Sequence, residues 1–153
     1  MTLLIACSVA LLTSTRAPAY SVYIAAPRLT FVPSAARLHA ICGPTSLACT
    51  AIRGTTFHGT CESRDGWHAR VDVSFDPYTY LWLGYLLGKD VDVLTHEREH
   101  LRDIQTDATE YVRTLSMQTF HSQIDCETAM GQNGVGFEER LRRFAARSQA
   151  DRQ

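Results

Sequence analysis

From about Asp92 to Phe120 the chain runs without a glycine or a proline. Within that run Leu101, Ile104, Ala108, Tyr111, Val112 and Leu115 recur at about 100° per residue, a spacing that predicts a long helix with one apolar stripe turned to a core. With 153 residues in all, the chain supports one compact domain built on such a helix. Before it, Trp67, Ala69, Val71, Val73 and Phe75 alternate with His68, Arg70, Asp72 and Ser74. That alternation predicts a strand with one buried face, ended by Asp76-Pro77. Tyr78 to Leu87 is apolar and aromatic, and its pattern fits a short buried helix or a strand equally. Gly131, Asn133, Gly134 and Gly136 read as a loop, and Phe137 to Arg147 as a last amphipathic helix anchored by Phe137, Leu141 and Phe144. The expected architecture is α+β: a small single domain with a short sheet packed on the long helix.

The N-terminus points to export. Met1 to Leu12 is an apolar run too short to cross a bilayer as a helix, so no stable membrane span is expected. It matches the apolar part of a secretory signal, and Ala17-Pro18-Ala19 offers the small residues of a cleavage site, giving a signal peptide over 1–19. Leu4-Ile5-Ala6-Cys7 also resembles a lipid-attachment site, although the apolar stretch continues past Cys7. Residues 20–37, with Pro27 and Pro33, read as an extended lead-in with a short strand near Leu29 to Val32, and the functional domain is expected over 38–153. After cleavage Cys42, Cys49, Cys61 and Cys126 remain. An even set in an exported chain predicts two disulfides, with three possible pairings. The preferred one joins Cys42 to Cys49 across the Gly43-Pro44 turn and Cys61 to Cys126 around the long helix. A four-cysteine zinc site competes poorly, because no two cysteines are spaced Cys-x-x-Cys. The formal net charge of −1 gives no general attraction to nucleic acid. The expected location is secreted or periplasmic.

The long helix carries His96-Glu97-Arg98-Glu99-His100. Residues four apart are neighbours on a helix, so His96 and His100 can present two imidazoles to one zinc ion. Glu97 lies one residue's rotation away, toward the apolar stripe. There it can act as general base toward a metal-activated water. The third ligand is not adjacent. Asp107 lies on the histidine face but about 10 Å further along the axis, and Asp103 is short, better placed to orient a ligating histidine than to ligate. The candidates on a following element are His121, Asp125 and Glu127, with His121 and Glu127 favoured equally. His39, His58 and His68 have no partner spacing and read as structural or surface residues.

Val93-Leu94-Thr95-His96-Glu97-Arg98-Glu99-His100-Leu101 resembles the zincin metallopeptidases, which share the apolar residue two positions before the first histidine. Among them it is most similar to small bacterial secreted zinc-dependent proteases, whose helix continues shortly to Asp-Ile, as Asp103-Ile104 does here one residue out of place. The resemblance implies a zinc-dependent hydrolase acting on peptide or protein substrates. The chain departs from the family in the charged pair Arg98-Glu99 inside the motif and in Arg102 after it. The alternative reading is an exported, disulfide-stapled binding or inhibitor domain whose His-Glu-x-x-His is a chance pattern on a surface helix. A domain that holds metal without catalysis is a third reading.

Overall fold

A computed structural model describes residues 19–87 and 91–151; the proposed signal peptide falls almost wholly outside the described residues. The elements in order are β1 (Tyr20–Ile24), β2 (Arg28–Val32), α1 (Ala35–Cys42), β3 (Ala48–Arg64), β4 (Gly66–Trp82), α2 (Leu83–Leu87), α3 (Val91–Ser116), β5 (Thr119–Phe120) and α4 (Gln123–Asp151). The chain is an α+β domain with a single five-stranded sheet, stapled by Cys42–Cys49 and Cys61–Cys126. Both pairings are those preferred from the sequence.

The sheet is organised around β4. Its whole length pairs antiparallel with β3, from Arg64 opposite Gly66 to Ala48 opposite Leu81. Its other edge is shared end to end by three short strands. β5 pairs antiparallel at Trp67 and His68, β1 parallel along Val71 to Phe75, and β2 parallel along Tyr78 to Trp82. Residues 20–37, expected as a lead-in, thus supply two strands of the sheet and the start of a helix. The sequence also placed the end of the β4 strand too early. Pro77 does not terminate it, because it falls between the last residue paired with β1 and the first paired with β2. A proline costs a strand little where no ladder donor is required of it. Tyr78–Leu87 divides accordingly, continuing β4 to Trp82 and then forming α2. Near the middle of β3 an extra residue bulges out between Arg53 and Thr56. Gly54 takes the positive φ of 59° that this bulge demands.

One face of the sheet is covered by α3 and α4. Ala69, Val71, Val73 and Phe75 meet Ile104, Ala108, Val112 and Leu115 from α3 and Met130, Phe137 and Leu141 from α4. The α3 side of this core is the stripe expected from the periodicity. The opposite face is apolar only near Tyr80, where Leu38 of α1, Val32 and Cys49 form a second, smaller core. Along the rest of that face the side chains are polar and pair across strands, as Ser21 Oγ does with Asp72 (2.5 Å) and Thr56 with Ser74 (2.6 Å).

The glycine-rich stretch expected as a loop lies inside α4, which runs unbroken from Gln123 to Asp151. Each interior glycine costs a helix about 1 kcal/mol relative to alanine, so tertiary contacts must offset it. Two contacts do so. A Cβ on Gly134 would stand 3.1 Å from the Phe57 ring, and a Cβ on Gly59 of β3 would stand 2.9 Å from Met130. Helix and strand therefore approach more closely than side chains would permit, and Cys61–Cys126 ties the two together. Gly59→Val is expected to destabilise the protein by about 1–3 kcal/mol through overpacking, measured by urea unfolding; an unchanged midpoint would contradict this close contact. The long helix is also shorter at its end than expected: α3 stops at Ser116, and the chain turns into β5.

Candidate metal centre

The N-terminal half of α3 crosses the sheet where β3 and β4 carry Thr50 and Thr79 opposite each other. Glu97, four residues before Leu101 and so on the core stripe itself, is directed into this crossing and is only 3% exposed. Its Oε2 accepts a hydrogen bond from Thr50 Oγ1 at 2.6 Å, and Thr50 Oγ1 lies 3.3 Å from Thr79 Oγ1. Both threonines are buried, on a sheet face that is otherwise apolar. An unpaired carboxylate taken out of water is costly, and a hydroxyl donor is the smallest group that offsets part of that cost.

Beside Glu97 the two histidines converge as the helical spacing predicts. His96 Nε2 and His100 Nε2 are 2.9 Å apart, with ring planes at 81°. His100 is buried and His96 half-buried. One ligand atom from each of His96, Glu97 and His100 falls within 4.8 Å of the others. Two ring nitrogens turned to one point must either share a proton or hold a cation between them. Two nitrogens each about 2.0–2.1 Å from a tetrahedral zinc ion would be roughly 3.4 Å apart, so a shift of a few tenths of an ångström suits the pair to zinc. The donor chemistry of this cluster fits the ion.

Burial raises the Glu97 pKa above the ordinary carboxylate value, while the Thr50 hydrogen bond and the His96 charge pull it partly back. A buried carboxyl group displaced in this direction beside two histidines is a candidate proton acceptor.

The third-ligand candidates lie elsewhere. From His100 to Ser116 α3 advances roughly 24 Å, and His121, Asp125 and Glu127 all follow its far end. Asp125 is engaged by Ser122 Oγ at 2.8 Å, and Glu127 accepts from Gln123 Nε2 at 2.7 Å while facing Phe57, His58 and Gly59. Neither His121 nor Glu127 joins the histidine pair, because the chain leaves α3 toward the start of β4 rather than folding back along the helix. Asp107 is paired with Arg147 at 2.7 Å. Among the described residues, only Glu97 stands with the two histidines as a third potential ligand.

Thr50 and Thr79 are the site residues that sequence reasoning missed. Nothing in their local sequence marks them, since isolated threonines in β-rich segments are ordinary strand residues. Comparison of the chain with protein-family models, with curated proteins and with solved structures finds no match.

Proposed function

We propose that this protein is a zinc-dependent hydrolase acting on peptide bonds, a metalloprotease, with His96 and His100 as zinc ligands and Glu97 as general base. The observation that carries the reading is the convergence of the two Nε2 atoms beside a buried carboxylate of raised pKa. The zincin-like segment from Val93 to Leu101 adds to it. Bound zinc supplies a Lewis acid that acidifies water and polarises a carbonyl. The chain's own residues do the rest. Thr50 occupies Oε2 of Glu97 and fixes the carboxyl plane, leaving Oε1 to accept the proton of the attacking water. The buried surroundings raise the basicity of that carboxyl group above that of an ordinary carboxylate.

Two disulfides agree with an oxidising compartment, and with the apolar N-terminal run they support a secreted or periplasmic protein. No helix among the described residues is long and apolar enough to cross a membrane. A second reading, a disulfide-stapled binding or inhibitor domain, is favoured by one observation: the group of possible metal ligands found among the described residues is confined to His96, Glu97 and His100 of the motif itself.

Zinc content separates the two. Purified mature protein never exposed to chelator is expected to carry roughly one zinc per chain, and His96→Ala with His100→Ala to carry none while keeping its circular dichroism. A folded, zinc-free wild type would refute the hydrolase and leave the binding domain.

A further inference from the structure

A surface pocket of about 190 Å³ adjoins Glu97. Its walls come from α3 and β2: Leu94, Arg98 and Leu101 on the helix, Leu29 on the strand, with Thr79 at its base. Positions 94, 97, 98 and 101 form one helical stripe, at i, i+3, i+4 and i+7. By the same geometry His96 and His100 lie on the other flank of Glu97, so the carboxyl group separates the histidine pair from the pocket and borders both.

Three features define what the pocket would hold. It is lined mainly by apolar groups, and Leu29 remains 52% exposed although it faces a core-side helix. An exposed leucine beside a preformed hollow is apolar surface still in water, which an apolar side chain would cover. The volume is that of a single side chain: a cavity of about 150 Å³ accepts one benzene ring. The third feature is charge. Arg98 lines the pocket, is exposed, and makes no ion pair among the described residues. The buried Glu97 carboxyl is at the inner wall and the guanidinium at the outer, so an anionic group at the mouth meets Arg98 first.

We propose that this pocket binds the C-terminal residue of a peptide, with a leucine-like or phenylalanine-like side chain against Leu29, Leu94 and Leu101 and the terminal carboxylate on Arg98. As a substrate assignment this rests on the hydrolase reading above, and it would make the enzyme one that selects peptides ending in an apolar residue. The binding itself does not need the metal.

The test uses metal-free wild-type protein and leucine-methyl NMR, with N-acetyl-leucine, N-acetyl-leucinamide and N-acetylglycine as probes. N-acetyl-leucine should shift the Leu29, Leu94 and Leu101 methyl signals and bind at least about tenfold tighter than N-acetylglycine, since a methylene, a methine and two methyl groups leave water. It should bind about two- to fivefold tighter than the amide, the range of an exposed ion pair, and Arg98→Glu should erase that preference. Leu29→Asp, at a half-exposed position, should abolish the methyl shifts on α3 while the circular dichroism stays that of the wild type. Equal binding of acid and amide would overturn the terminal-carboxylate assignment. Absence of methyl shifts with every probe would overturn the pocket. Zinc content measured on a parallel preparation never exposed to chelator distinguishes the two readings. Zinc without N-acetyl-leucine binding refutes this inference alone, whereas binding without zinc refutes the hydrolase and leaves a peptide-terminus binding site.

Discussion

Glu97→Gln is expected to lower turnover of a peptide substrate by about 10²–10⁴-fold, the usual contribution of a general base, while zinc content stays at the wild-type level. The amide keeps the shape of the carboxyl group and can still accept the Thr50 hydrogen bond. It cannot take a proton from water. Zinc content is the decisive readout, because Glu97 is also the third group within ligating distance of the pair. If Glu97→Gln loses its zinc along with its activity, Glu97 is a ligand and not the base. The same substitution should act in the opposite direction on the stability of the metal-free protein. Burial raises the folded-state pKa of Glu97 above the ordinary carboxylate value of 4.5. The folded protein then holds this proton more tightly than the unfolded chain does. Stability from this group is therefore complete below pH 4.5 and is lost as pH rises through the folded pKa. Glu97→Gln avoids that loss, so its Tm should exceed that of the wild type at neutral pH and converge on it in acid. Thermal unfolding of both proteins in the presence of chelator, from pH 4 to pH 8, measures this. A difference that does not change with pH would contradict a carboxyl group ionising at a cost in the fold.

Loss of the Cys61–Cys126 bridge should be among the most damaging changes to stability. The bridge closes 65 residues. Loop-closure entropy gives it about 4 kcal/mol, against roughly 2.5 kcal/mol for Cys42–Cys49, which closes 7. For a domain of this size the larger figure corresponds to a fall in Tm on the order of 10–20 °C. The damage should also be localised. Cys126 lies fully buried in the first turn of α4, just before the glycines that weaken the helix. With the bridge removed by Cys61→Ala and Cys126→Ala, α4 would be held on β3 by packing alone. Hydrogen exchange should then accelerate first in the segment from Gln123 to Gly136. Equal losses from the two bridges, or exchange that rises evenly through the chain, would show that the long bridge does not hold α4 in place.

The parts of the fold legible in the sequence are those governed by a local period. The apolar stripe of α3 and the alternation from Trp67 to Phe75 each report one buried face, and both lie in the core as expected. Of the three disulfide pairings open from the sequence, the preferred one is found, with one pair across a tight turn and the other joining segments before and after the long helix. The misread elements are those whose local preference is overruled from a distance. Pro77 continues a strand because its neighbour on that edge changes there. The helix continues through Gly131, Gly134 and Gly136 because α4 is held on β3, by the close approach of Gly134 to Phe57 and by the disulfide.

The candidate centre divides along the same line. The sequence by itself determined that His96 and His100 share a helix face with Glu97 beside them, since 3.6 residues per turn leave no other arrangement. Only the tertiary structure decided what surrounds Glu97. Thr50 and Thr79 stand 29 residues apart in the chain, and it is the pairing of β3 with β4 that brings both hydroxyls under one carboxyl group. The same structure places His121 and Glu127 at the far end of α3, where no rule of spacing could put them. Helical contacts follow from sequence distance, whereas contacts across a sheet follow from register, and register is set by the burial of the whole face.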